Sequence, residues 1–202
     1  MIGGMHAAIA AAFMPLISLP CWHVERGHGS ILSFEFGRPR LFVREPYVST
    51  SSSAKLRQSA AQRIVKPVGE WNLFVFCCHW CVTDRGEVLA DDDSPDRQIE
   101  AAVHVMEGQK LIAFTLDDAS RRTVFSFDLG AALTTWPYEA DEEEQWSLYM
   151  PGERVLTYRA DGLASLGADD VRQGQEIWKA VGQNVHMPSR PANKRDERTK
   201  SA

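Results

Sequence analysis

The chain has 202 residues, of which 44% are hydrophobic and 24% are charged, and its formal net charge is −5. This composition is ordinary for a soluble globular protein, and it excludes a wholly disordered chain, a collagen, a coiled coil and a multi-span membrane protein. An acidic balance also weighs against a large nucleic-acid interface, which needs clustered Lys and Arg. Because a domain typically has about 150 residues, we expect one domain with appendages.

Residues 1–20 are mostly apolar but lack the features of a signal peptide or a membrane span. No Lys or Arg precedes Arg26, so the basic start of a signal peptide is missing. The apolar run at 7–19 is also too short to cross a bilayer about 30 Å thick. We therefore expect residues 1–20 to be a weakly ordered extension of a cytoplasmic protein.

Two patterns organise the next part of the chain. Leu32, Phe34 and Phe36 alternate with polar residues, which predicts a strand with its large side chains on one face. A serine-rich polar stretch follows at about 49–62, and we expect it to be a mobile surface loop.

In residues 71–82, both the odd-numbered and the even-numbered positions are mainly apolar. The odd-numbered positions include Leu73 and Val75, and the even-numbered positions include Phe74 and Phe76. A strand with one face in water would alternate with polar residues. The pattern therefore predicts a central strand that is covered on both faces.

A helix is predicted after the three aspartates at 91–93. Ser94 suits the N-cap, and Pro95 suits the first helical position. Apolar residues then recur with helical spacing, which predicts one buried stripe that covers the central strand. The stripe consists of Ile99, Ala102, Val103 and Met106.

Further strands and a weaker helix complete the pattern. Alternation predicts strands at 125–129 and 146–150, and another strand at 110–117. Residues 169–181 predict a second helix, which its glycines weaken. The whole chain therefore predicts an α+β fold with a mainly antiparallel sheet, a meander, covered by one main helix, with the weaker helix near the C-terminus.

These elements predict a single α+β domain at 21–186, between the extension and a tail at 187–202. The tail has five Lys or Arg against two Asp or Glu and almost no residue that could be buried. We expect it to be disordered and basic, so the rest of the chain is more acidic than the total charge shows.

Three of the four cysteines crowd into five residues, as Cys77, Cys78 and Cys81 around His79. Ligands strung along a strand diverge, and no second Cys-x-x-Cys completes a zinc site. We therefore expect reduced thiols packed in the core, with no metal and no other cofactor.

An alternative metal site would combine His23 and Glu25 with Cys78 and Cys81. Their order imitates the His-x-Glu and Cys-x-x-Cys signature of zinc-dependent deaminases, in which His and Cys hold zinc and Glu transfers protons. Cys77 stands where that signature has a proline. This alternative is a metal-dependent hydrolase or deaminase with His23, Cys78 and Cys81 as metal ligands.

The most acidic part of the chain is 139–144, where five of six residues are Asp or Glu. It lacks the alternating ligands and the fixed glycine of a calcium loop. Such a segment can steer a basic partner towards the protein. We expect a contact surface, here called the acidic surface, made of Trp136, Tyr138, Glu139, Asp141, Glu142, Glu143 and Glu144.

Three stretches of sequence carry a resemblance to known proteins. They are WHVERGHGSILSFEFGRPRL from residue 22, GEWNLFVFCCHW from residue 69 and QWSLYMPGERVLTYRADG from residue 145. Over residues 22–166 the chain resembles small bacterial proteins that form a domain family of unknown function. It is also similar to immunity proteins of bacterial polymorphic-toxin systems, which are small, acidic α+β proteins without a catalytic signature. The shared residues are Trp, Gly and strand ends, so the resemblance implies a fold and assigns no role to a single residue.

Together these observations predict a non-enzymatic cytoplasmic protein of immunity or inhibitor type that binds another protein through the acidic surface. We expect that partner to be basic, and we expect neither nucleic acid nor membrane to be bound. The runner-up is the metal-dependent enzyme described above.

Overall fold

Two antiparallel β-sheets face each other across an apolar core. The computed structural model describes residues 4–172 and 174–187. Its helices are α1 (Met5–Phe13), α2 (Ala54–Ala60) and α3 (Asp96–Met106). Its strands are β1 (Cys21–Arg26), β2 (Leu32–Phe36), β3 (Arg40–Arg44), β4 (Ile64–Val68), β5 (Trp71–Val75), β6 (His79–Asp84), β7 (Glu87–Asp91), β8 (Leu111–Asp117), β9 (Arg122–Phe127), β10 (Ala131–Trp136), β11 (Glu144–Met150), β12 (Arg154–Arg159), β13 (Leu163–Ala168), β14 (Trp178–Ala180) and β15 (Val185–Met187).

The strands form two large sheets and a separate ribbon. The larger sheet has the order β1-β2-β5-β11-β12-β13-β14, and the smaller sheet has the order β15-β8-β9-β10-β6-β7. Strands β3 and β4 pair only with each other. The predicted α+β fold with antiparallel sheets is confirmed. The single meander under one main helix is not, because the chain crosses between two sheets and three helices are described.

Aromatic side chains from both sheets meet in the core. The ring centroid of Trp146 in the larger sheet lies 6.0 Å from that of Phe114 and 6.4 Å from that of Phe125 in the smaller sheet. The Trp146 indole N–H donates to the Thr123 hydroxyl at 3.1 Å. These rings bury large apolar areas, and this burial holds the sheets face to face. The hydrogen bond to Thr123 means that the indole N–H is not left without a partner inside the core.

The stretch predicted as one central strand is divided between the two sheets. Leu73 and Val75 face the core from β5 in the larger sheet, whereas Trp80 faces it from β6 in the smaller sheet. Between them, Cys77 has a φ of 51°, which turns the backbone from one sheet to the other. Both parities are apolar because odd-numbered residues line the core first and even-numbered residues line it afterwards.

The N-terminal segment belongs to the core, so the expectation of a weakly ordered extension is wrong. Ile9, Phe13 and Leu16 are fully buried. The Phe13 ring stacks on Phe114 at 4.0 Å between centroids and meets Trp146 edge-on at 5.5 Å. Residues 4–20 contain no Lys, Arg, Asp or Glu, so this segment packs against the core without desolvating a charge.

Helix α3 matches its predicted stripe. Ile99, Ala102, Val103 and Met106 are the buried residues of the helix. The helix packs against β1, β6, β7 and β10. It therefore covers the edge of the larger sheet at β1 and the edge of the smaller sheet at β7, and not one central strand.

The predicted helix at 169–181 is wrong for the residues that the structure describes there, which exclude Gln173. They contain strand β14, which pairs with β13 in the register Leu163↔Ala180, and no helix. Gly174 has a φ of 86°, outside the helical region, and pairing with the free edge of β13 satisfies backbone groups that a helix would have satisfied internally.

Two other expected segments have different outcomes. The stretch 49–62 contains helix α2, which Ser53 caps by accepting the Leu56 N–H at 3.4 Å. The expected tail at 187–202 lies outside the described residues from 188 onward. Met187 ends β15 and is buried, so the folded part reaches beyond residue 186.

Candidate functional site

The acidic surface lies on the connection between β10 and β11. Trp136 ends β10, Glu144 begins β11, and residues 139–143 between them are all exposed. Tyr138 is 48% exposed. Glu144 is partly buried, and this burial, with the nearby charge of Glu176, raises its pKa. The structure therefore brings the predicted contact residues together on one irregular loop.

Aromatic stacking fixes the inner edge of this surface. The His79 ring stacks on Trp136 with 5.6 Å between centroids and meets Tyr138 edge-on at 4.3 Å. The other side of His79 is held by Asp92, with 2.9 Å between Nδ1 and Oδ2. Tyr138 is thus positioned by packed neighbours while almost half of its surface stays in solvent.

The acidic side chains of this surface are mostly unpaired. Glu142 lies 3.6 Å from Arg159, whose guanidinium also binds Asp161 and lies over the Trp178 ring. Within the described residues, the carboxylates of Glu139, Asp141, Glu143 and Glu144 have no basic group within 4.0 Å. Most of the negative charge therefore faces water without compensation.

The cysteines do not behave as one group. Cys78 is buried as expected, Cys77 is exposed, and Cys81 is partly exposed. The expectation of core packing is therefore wrong for Cys77, because the backbone turn between the sheets points it outwards. It is also wrong for Cys81, which lies on the face of β6 opposite the buried Trp80 and Val82. Cys21 is also buried, and burial raises the pKa of this thiol to about 12. Burial likewise raises the pKa of Cys78 far above its usual range, so both core thiols stay protonated.

The alternative metal ligands lie on different sheets. His23 is on β1 of the larger sheet, and its Nε2 lies 3.0 Å from Oε1 of Glu25. The Cys78 thiol lies in the core and donates to the Gln145 carbonyl at 3.4 Å, while Cys81 is on β6 of the smaller sheet. Across residues 4–172 and 174–187, no group of three or more His, Cys, Asp or Glu is arranged to hold a metal ion.

A cavity of about 890 Å³, which the sequence did not suggest, lies on the outer face of the larger sheet. Glu35, Asn72 and Phe74 from β2 and β5 form its floor, and the ribbon of β3 and β4 contributes Phe42 and Lys66. This volume lies within the range of small-molecule sites.

Glu35 is the most unusual group of the cavity. It is only 5% exposed, and its carboxylate accepts the Gly69 N–H at 2.8 Å. A Cβ on Gly69 would lie 2.4 Å from the Phe36 carbonyl oxygen, so only glycine allows this approach. Burial raises the pKa of Glu35, although Gly69 and the charges of Lys66 and His23 oppose the rise.

The ribbon belongs to a strongly basic segment, here called the basic arm (residues 38–66). It contains seven Lys or Arg and one Glu, a net charge of +6 in a chain of −5, so all other residues together carry −11. Leu41, Val43 and Val65 on the ribbon face turned away from the cavity are 70%, 48% and 55% exposed. A count of charges along the chain would have found this arm. No sequence signal marks Glu35, since alternation predicted only a polar face.

Comparisons with known proteins found no relative of this chain. The chain matches no family model, no curated protein and no solved structure. None of the helices in the described part of the chain is long and apolar enough to cross a membrane.

Proposed function

We propose that this protein is a non-enzymatic binding module of immunity or inhibitor type, and that it binds a basic protein through the acidic surface. The observation that carries the proposal is the exposure of residues 139–143, with little internal charge compensation, beside the half-exposed ring of Tyr138.

The two parts of the surface have different physical roles. Exposed carboxylates raise the rate of encounter with a basic protein, and salt weakens this effect. Tyr138 offers an aromatic anchor of the kind that dominates binding energy in interfaces. Because His79 already packs against it, less conformational entropy is lost when a partner covers the ring.

The first test replaces Glu142, Glu143 and Glu144 by Gln and measures association with the cognate partner at low and high salt. We expect the association rate at low salt to fall about tenfold and its salt dependence to flatten. The fold should remain intact or become slightly more stable, because the raised pKa of Glu144 shows that its ionisation is disfavoured in the folded state. Thermal unfolding checks this point.

The matched control removes three negative charges elsewhere, with Glu87→Gln, Glu100→Gln and Asp170→Asn. These side chains are exposed and lie outside the acidic surface. We expect the control to change the association rate less than about twofold. Equal association rates for the Gln variant and the unmodified protein at both salts would remove the acidic segment from the interface, and Tyr138→Ala would then test the aromatic part.

A further inference from the structure

The cavity under the ribbon is independent of the acidic surface and has a separate chemistry. It lies on the outer face of the larger sheet, where β2 and β5 carry polar residues between their core-facing ones. The floor residue Glu35 is nearly inaccessible to bulk water, yet its side chain lines the cavity. A ligand in the cavity would therefore contact a carboxylate that water solvates poorly.

Glu35 is only partly compensated by the protein. The Gly69 N–H donates to its carboxylate, and the side chain of Asn72 also favours the charged form and so opposes the rise in pKa. No basic group of the described chain lies within 4.0 Å of it, so Lys66 acts on it only from a greater distance. Its raised pKa reflects this deficit. A buried carboxylate in this state gains most from a cation that arrives with its own hydrogen-bond donors.

The charges that line the cavity favour a cation over an anion. Two basic side chains, Arg40 and Lys66, are present, and both are exposed and solvated. The nearby His23 is already paired with a carboxylate. Five acidic side chains also line the cavity, and they are Glu25, Glu35, Glu70, Glu153 and Asp169.

Apolar side chains also line the cavity. They are Phe42 from the ribbon, Phe74 from β5 and Met150 from the end of β11. Aromatic faces attract cations as well as apolar groups. The site therefore combines a buried negative charge with surfaces suited to a hydrocarbon or aryl group.

We propose that this cavity binds a small organic ammonium ion with an apolar body, with the Glu35 carboxylate as its counter-ion. The ammonium group donates to the carboxylate oxygen that Gly69 leaves free, and the apolar body lies between Phe42 and Phe74. Lys66 lines the same cavity as Glu35, so its charge competes electrostatically with the bound cation.

The experiment uses three probes that share a phenyl group and differ in charge: phenethylamine, 2-phenylethanol and 3-phenylpropionate. Binding to the full chain is measured by calorimetry at neutral pH. We expect phenethylamine to bind with a Kd of about 1 mM or tighter, and the other two probes to bind at least about tenfold more weakly.

Two variants should shift the phenethylamine affinity in opposite directions. Glu35→Gln keeps an acceptor for Gly69 but removes the charge, so affinity should fall about tenfold. Lys66→Gln removes the competing charge, so affinity should rise about twofold to threefold. A merely structural effect of either change would not produce this pair of opposite signs. Glu87→Gln, an exposed change on β7 of the smaller sheet, should leave the affinity unchanged.

Three results would overturn the inference. The first is that phenethylamine does not bind, and the second is that 3-phenylpropionate binds more tightly than phenethylamine. The third is that Glu35→Gln and Lys66→Gln change the phenethylamine affinity in the same direction. Binding that is lost in the Glu142→Gln, Glu143→Gln, Glu144→Gln variant would mean that the amine binds the acidic surface instead. This inference does not depend on the proposed protein partner, so either can fail alone.

Discussion

The N-terminal segment and the basic arm are both rich in apolar residues, yet they have opposite environments. In α1, Phe13 is fully buried among the rings of both sheets, whereas in the arm Leu41 is 70% and Val48 is 95% exposed. The difference follows charge. Residues 4–20 contain no Asp, Glu, Lys or Arg, while the arm carries seven Lys or Arg. Burying the arm would desolvate those charges, so its apolar residues stay at the surface as a patch suited to contacts.

The largest effect expected from this comparison is on Phe13. Phe13→Ala removes a ring that contacts Phe114 and Trp146, and it leaves a cavity between the sheets. We expect a loss of about 3–5 kcal/mol in the free energy of unfolding, measured with urea. The neighbouring Met14 is 55% exposed, so Met14→Ala serves as the control with little effect. A loss of stability in Phe13→Ala that is as small as the loss in Met14→Ala would place α1 outside the core.

An intermediate effect is expected where the arm joins the larger sheet. In Gly69→Ala the new Cβ would meet the Phe36 carbonyl oxygen at 2.4 Å, and backbone atoms would have to move. We expect a loss of about 1–3 kcal/mol in urea unfolding. Gly167→Ala is the control, since its Cβ would make only an ordinary contact with Val171 at 4.0 Å. A neutral Gly69→Ala would show that this junction is loosely packed.

The smallest effect is expected within the arm itself. Leu41→Thr and Val43→Thr keep residues that suit a strand but remove exposed apolar surface. Each change should alter the free energy of unfolding by less than about 0.5 kcal/mol. A loss above about 1 kcal/mol, measured in the same urea experiment, would mean that this ribbon face packs against the body, and the contrast with α1 would disappear.

Local patterns in the sequence were sufficient for several elements. The stripe of α3 was predicted because helical spacing alone places Ile99 and Met106 on one face. The strand with Phe34 was predicted because its alternation is regular and its large side chains face the core. The exposed position of residues 139–143 was expected because uncompensated charge is rarely buried.

Other features depended on contacts that local patterns do not contain. The change of sheet at Cys77 was missed because two core-lining parities in succession look the same as one strand covered on both faces. Strand β14 was missed because its hydrogen-bond partner, β13, is not visible in its own sequence. The burial of Glu35 was missed because it depends on contacts with residues that are distant in the chain, such as Gly69, whose N–H its carboxylate accepts.

Residue type and local spacing were enough to predict the antiparallel α+β class, the amphipathic face of α3 and the exposed, charged residues 139–143, because each of these depends on only a few turns or strand positions. Long-range packing decides that there are two facing sheets, that Phe13 lies between them, and that Glu35 is buried at the wall of a cavity. Each of these depends on residues that are distant in the chain, such as Phe13 with Trp146 or Glu35 with Gly69. Burial is a property of such long-range packing, since the same side chain is stabilising or costly according to which surface covers it.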